Sequence, residues 1–236
     1  MPVSGVSYEP RTIRVFQRLD TVEGKERTVL DLGCFAGGWL EVARERCLAG
    51  TSGSRVVGVD TVVMDPLPDV EFMQGSVTDK KLWPRLLVDV PEKFDIVLSD
   101  VSRPRVELRK EDHMSSTELG LAACEGAELV LKPGGWLLLK HYYGSLTPLI
   151  RTYLHTRYER VRAVRPEGSG FREMCFVCVG FKEGALASEV PVQTMRLKHE
   201  AVATPGAGRE DAFRVKKSKK PEKIGMKPLE GPAPKR

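Results

Sequence analysis

The stretch VLDLGCFAGGW, Val29 to Trp39, decides the fold. An apolar run closes on Asp31-Leu32-Gly33, and Gly37 and Gly38 lead through Trp39 into the helix-like GWLEVARERCLA. A buried strand that breaks at glycine and restarts as a helix is the first half of a strand-helix-strand unit. Outward from it the alternation continues. SRVVGVD, VEFMQGSV, KFDIVLSD and GGWLLLKHYYG read as further strands; KKLWPRLLVDV, SSTELGLAACEGAELVL and TPLIRTYLHTRY read as helices. Ser116 or Thr117 is the expected cap of the second of these helices. YERVRAVRP and EMCFVCVGF are separated by a short Gly-Ser-Gly turn and read as an antiparallel finish, one strand inserted at the sheet edge. The expected fold is α/β: a Rossmann-like, mostly parallel seven-stranded sheet with an antiparallel last strand and helices on both faces.

The chain has 236 residues, enough for one well-buried domain. With 41% hydrophobic and 29% charged residues it has the composition of an ordinary soluble protein. No run approaches the ~18 apolar residues of a membrane span, and the N-terminus does not read as a signal peptide. Five irregularly spaced cysteines make no disulfide framework. CFVC, Cys175 to Cys178, has the spacing of half a zinc site, but residues three apart in a strand face opposite ways, so no metal is expected there. The net charge is +5, and residues 214–236 alone carry nine Lys+Arg against two Glu, +7, which leaves −2 for the remainder. The expected organisation is a domain over residues 1–183, with 1–24 as a substrate-side segment, and a Pro/Gly/Lys-rich tail over 184–236, disordered or ordered by a partner.

Ligands of open parallel sheets dock at the carboxyl ends of the strands, where the topology switches. The turn after the first strand holds three glycines in the six residues 33–38, which lets backbone approach a ligand closely. Its spacing, G-x-x-x-G-G, is not the dinucleotide fingerprint, and no P-loop lysine follows. Asp60, ending the second strand, is placed to accept both hydroxyls of a ribose. A nucleoside without a pyrophosphate fits that pair. Asp60 as a plain turn residue and Trp39 as plain core filler are the alternatives.

VLDLGCFAGGW, GVDTVVMDPLPDVEFMQGSVTD, FDIVLSD and LKPGGWLLLKHYYG together resemble the FtsJ/RrmJ family of S-adenosylmethionine-dependent ribosomal RNA 2′-O-ribose methyltransferases, in order, from about Arg11 to Phe181. The resemblance implies S-adenosyl-L-methionine as cofactor. Gly33, Gly37 and Trp39 would shape its methionine side, Asp60 would hold its ribose, and Ser76 stands where the family has an adenine-contacting Asp; Asp100 also borders the cofactor. The family's Lys-Asp-Lys-Glu tetrad matches Arg18, Asp100, Lys140 and Glu173. Arginine stays charged at any working pH, so Arg18 can stabilise an anion but cannot shuttle a proton. That leaves Lys140 as the expected general base, oriented by Asp100 and Glu173.

Other departures from the family pattern are Ala36 for the loop proline, SDVSRPR after the fourth strand, and GSGFRE before the last. RNA contacts are expected from Arg11, Arg14, Arg103 and Arg105, with stacking from His141, Tyr142 or Tyr143 and support from the basic tail. The implied partner is ribosomal RNA or the large ribosomal subunit particle; a monomer, no membrane, and a location in the cytoplasm or mitochondrial matrix are the accompanying expectations. A methyltransferase-like assembly factor with weak or no catalysis is the alternative, favoured by Arg18 and Ser76 and opposed by the Asp100-Lys140-Glu173 trio. A small-molecule methyltransferase would need a substrate lid for which there is no added domain.

Overall fold

The structure, a computed structural model, describes residues 26–48, 53–102, 109–165 and 173–184. The N-terminal segment with Arg11, Arg14 and Arg18, the residues Arg103 and Arg105, and the basic tail lie outside them. In chain order the elements are β1 (Thr28–Leu32), α1 (Gly38–Leu48), β2 (Arg55–Asp60), β3 (Glu71–Gln74), α2 (Leu82–Asp89), β4 (Phe94–Ser99), α3 (Arg109–Val130), β5 (Leu131–Tyr142), α4 (Thr147–Arg157), β6 (Tyr158–Val164) and β7 (Glu173–Phe181).

Seven strands form one sheet in the order β3-β2-β1-β4-β5-β7-β6. β1 through β5 pair in parallel; β7 is antiparallel to both β5 and β6, between which it lies. The expected inserted finish is thus present. From β1 the chain steps outward to β2 and β3, then returns to β4 on the other side. The crevice between the ends of β1 and β4 is therefore the topological switch point.

Both faces are covered, which is why β1 and β4 read as nearly continuous apolar runs. On one face Leu30, Leu32, Val97 and Leu139 pack with Leu86, Ala127, Ile150 and Leu154 from the helices. On the other, Val29, Ile96 and Leu138 pack with Trp39, Leu40 and Ala43 of α1. Cys175 joins the second layer and Cys178 the first, so the two thiols of CFVC do face opposite ways. Among the described residues no group of three or more His, Cys, Asp or Glu is placed to hold a metal ion, and no helix is long and apolar enough to cross a membrane.

One helix boundary differs from the sequence reading. α3 begins at Arg109, so Ser116 and Thr117 are not caps. Both are buried inside the helix, and the Thr117 hydroxyl donates to the His113 carbonyl at 2.8 Å, a bond to the preceding turn. His113 in turn fastens the end of β5: its Nδ1 lies 2.8 Å from the Tyr142 carbonyl, and its Nε2 accepts from the Leu146 amide at 3.2 Å. Next to it His141 is fully buried, 2.8 Å from the Thr147 hydroxyl. Burial, then the neighbouring His113, push the His141 pKa down to about 3, so it is a neutral part of this clamp.

Glycine is required at one helix contact. The Trp83 ring of α2 lies against Gly126 of α3, where an added Cβ would fall 1.9 Å from a ring carbon. Gly126→Ala is expected to cost about 1–3 kcal/mol through overpacking, read as a lowered midpoint in chemical denaturation; an unchanged midpoint would show that α2 and α3 do not dock this closely.

Candidate active site

The glycine turn is built by the strands around it. Gly33 and Cys34 donate their amides to the Val59 carbonyl at 2.8 and 3.3 Å, and Asp100 donates its amide to the Leu32 carbonyl at 3.0 Å. Gly33 has φ of +79°, and a Cβ there would lie 2.8 Å from the Val101 backbone, so only glycine lets the end of β4 close against the turn. Gly37 has φ of +102°, with Met64 Cε 3.1 Å from where its Cβ would be.

Asp60 closes the other side. Its carboxylate accepts from the amides of Phe35 and Val62, both at 2.9 Å, and so ties the turn to the end of β2. The Thr61 hydroxyl also donates to Oδ1, at 3.4 Å, while Oδ2 keeps a further lone pair for a ligand. The Gly75 amide donates to the Asp60 carbonyl at 2.9 Å, which sets Ser76 next to the same strand end; the Ser76 hydroxyl pairs with that of Thr78 at 2.9 Å. Phe35, Val62 and Val63 are exposed apolar residues beside Asp60.

Trp39, expected to wall the cofactor, is only 3% exposed and packs in the α1-side layer. Its Nε1–H is buried without a partner among the described residues.

The residue that sequence reasoning missed is Asp31. It is 0% exposed, and neither carboxylate oxygen has a hydrogen-bond partner among the described residues. Burial, then the charges of Asp100 and Asp60, hold its pKa well above the usual carboxylate range. An acid inside the otherwise apolar VLDL strand was the available signal, since a carboxyl in a strand covered on both faces needs a reason. Asp60 and Asp100 bring negative charge to the crevice, and the buried Asp31 beside them is held toward its neutral form by burial and by that charge. That argues against a phosphate-rich ligand and suits one carrying positive charge.

Across the crevice Lys140, on β5, reaches Asp100 Oδ1 at 2.6 Å and Glu173 Oε1 at 3.2 Å, with only 9% of its side chain exposed. The sheet register brings them together: Ser99 pairs with Leu139, Lys140 with Cys175 and Tyr142 with Glu173. The Lys140 Nζ also stands 5.8 Å from the Tyr142 ring centroid. Burial pulls the Lys140 pKa down, but the charge and hydrogen bond of Asp100, with smaller help from Tyr142 and Glu173, more than offset it. The net direction is upward, opposite to what a resting base needs, and Lys140 is an ammonium in this arrangement. Removing it would take a shared cation from two poorly solvated carboxylates.

Of the residues expected from sequence, Gly33, Gly37, Asp60, Ser76 and Asp100 gather around the crevice, and Lys140, Asp100 and Glu173 form one ion-pair cluster at its β4–β5 side. Of the stacking candidates, His141 is buried and Tyr143 is 39% exposed.

This arrangement is that of the α/β methyltransferases. Human methyltransferase-like protein 13, solved in complex with SAH, superposes with a TM-score of 0.50 over 88% of this chain and 95% of its own, at 14% identity, a likeness of fold alone. Residues 13–181 match the FtsJ-like methyltransferase family, and the chain belongs to it. A Plasmodium falciparum protein described as a ribosomal RNA methyltransferase superposes with a TM-score of 0.64, at 30% identity, over 74% of this chain and 98% of its own. The ribosomal RNA large subunit methyltransferase E of Brucella anthropi is 30% identical over 159 residues, 67% of this chain. The chain spans 66% of that relative's length and 60% of its Brucella ovis counterpart's.

The linkage of Asp31 has a definite sign. Its folded pKa lies above the unfolded value, so the unfolded chain loses a proton that the folded one keeps, and stability falls as pH rises through about 4 toward the folded pKa. The free protein is expected to lose up to ~1.4 kcal/mol per pH unit from this group over that window. Urea titrations between pH 4 and 8 should show a flatter dependence for Asp31→Asn; parallel curves would mean that Asp31 is already ionised and paired.

Proposed function

We propose that this protein transfers a methyl group from S-adenosyl-L-methionine to a ribose 2′-hydroxyl of large-subunit ribosomal RNA. The observation that carries the reading is the buried Lys140–Asp100–Glu173 cluster at the edge of an anionic, glycine-turned crevice. The names of the relatives support the RNA substrate, and the large subunit or its precursor is the partner that follows. A nucleoside bearing a sulfonium and an ammonium fits two carboxylates and a buried acid able to ionise against it better than a dinucleotide would. In this reading Asp31 would face that positive charge, Asp60 would hold the ribose hydroxyls, and Ser76 would border the base.

The cofactor supplies a methyl on a sulfonium, which makes the transfer downhill once a hydroxyl oxygen is aligned behind it. The protein's task is alignment and the fate of one proton. The Lys140 ammonium, fixed by two carboxylates, lies where a 2′-hydroxyl can bind, and its charge favours the developing alkoxide. To accept the proton itself it must first give up its own, which requires the field of Asp100 to be offset by added positive charge in the crevice. Arg18 is the chain's own candidate for that charge. Glu173 keeps the amine oriented throughout.

The same ammonium favours a second reading. A lysine held protonated, with arginine at the other lysine position of the family, fits a ribosome assembly factor that binds RNA and catalyses weakly. One test separates the two. Labelled S-adenosylmethionine is incubated with large-subunit particles and the label mapped by resistance of the modified linkage to alkali. Transfer to a 2′-O position, reduced ~10²-fold or more in Lys140→Ala while cofactor binding is kept, is the expected result. Cofactor and particle binding by wild type without transfer would replace the enzyme with the assembly factor.

A further inference from the structure

The edge strand β6 carries Arg160 and Arg162, both exposed and neither ion-paired among the described residues. The register fixes where they point. Lys140 pairs with Cys175, and Cys175 with Val164 on β6; Arg162 pairs with Val177 and Arg160 with Val179. Residues paired across strands share a face, as do alternate residues along one strand. Arg160, Arg162 and Val164 therefore lie on the same face of the sheet as Lys140 and Glu173. Val161 turns the other way into the opposite core layer, as does Tyr158, which lies beyond Glu159 and the left-handed Gly180 (φ +77°) at an unchanged register. Glu159 lies over Gly180 and is the acid nearest in sequence.

Distances follow from sheet geometry. Val164 stands level with Lys140 two strands away, roughly 10 Å across the sheet. Arg162 and Arg160 follow at intervals of roughly 7 Å along β6. At the site end of the row, the Arg165 guanidinium lies 5.8 Å from the centroid of the Tyr143 ring, which is 39% exposed just past Lys140. An aromatic face backed by a guanidinium is a platform on which a base of any identity can stack.

Resting on the reading that RNA is the substrate, we infer that β6 is the rail along which the RNA strand leaves the active site. A nucleotide next to the target stacks at Tyr143–Arg165, and the following phosphates lie on Arg162 and then Arg160. The rail reads the backbone and is blind to sequence, so it sets affinity and direction while Lys140 sets the reaction. Charges on an edge strand also discourage pairing with another chain, a job that either sign performs. The test turns on that difference.

Two full-length variants are compared with wild type, Arg160→Glu/Arg162→Glu and Arg160→Lys/Arg162→Lys. The readouts are methylation of large-subunit ribosomal RNA and binding of a single-stranded oligoribonucleotide at several salt concentrations, with S-adenosylhomocysteine binding as the control for folding. The glutamate pair should raise KM for RNA and flatten the slope of log affinity against log salt by ~1.4 or more, the value for two lost phosphate contacts. Its kcat at saturating RNA and its S-adenosylhomocysteine binding should match wild type, and the lysine pair should stay close to wild type throughout. A glutamate pair with wild-type KM and salt slope would overturn the rail and leave β6 a guarded edge. Wild type that neither binds nor methylates RNA would overturn the RNA reading and the rail with it.

Discussion

The site depends on one unfavourable placement, the carboxyl of Asp31 buried at the end of β1 without a partner among the described residues. Every nearby feature bears on it. Asp60 and Asp100 end the strands on either side and add negative charge. The Gly33 turn closes over the strand end and leaves no room for a side chain between itself and the loop after Asp100. A folded protein keeps such a group only where function repays its cost. A cationic ligand in the crevice would supply the missing partner, and it would make binding the event that completes the fold locally.

The second constraint is the lysine. Nearly buried, Lys140 is kept charged by Asp100 and Glu173, and its position is set by three strands in fixed register. The His113 and His141 clamp holds the end of β5 immediately beyond it. Two charge systems thus meet at Asp100, the anionic crevice and the ion-pair cluster. Positive charge entering the crevice weakens the hold of Asp100 on Lys140, so ligand binding and proton handling are coupled through one carboxylate.

Much of this was legible in the sequence. Strand ends are marked by glycine and aspartate, and the isolated Lys140 closing a leucine run stands out because lysine is rarely buried unpaired. The resemblance supplied Glu173, which nothing local distinguishes from a solvated strand end. Other features were not legible. Ser116 and Thr117 have the right chemistry for a cap, but the helix extends past them because both are buried within it. Trp39 reads as cofactor wall with core as the alternative, and its burial in the α1-side layer was not legible. Asp31 hid in a motif usually read for its glycines. The β6 arginines look like ordinary surface until the register shows which face they share.

The most direct measurement is the proton count on cofactor binding. Calorimetric titration of the free protein with S-adenosyl-L-methionine, near pH 6 and in buffers of different ionisation enthalpy, reports protons released or taken up. If Asp31 is a neutral, unpartnered acid that ionises against the cationic ligand, wild type releases protons on binding and Asp31→Asn releases fewer. Equal proton counts in the two proteins would contradict the account and leave the crevice's charge without the role assigned to it.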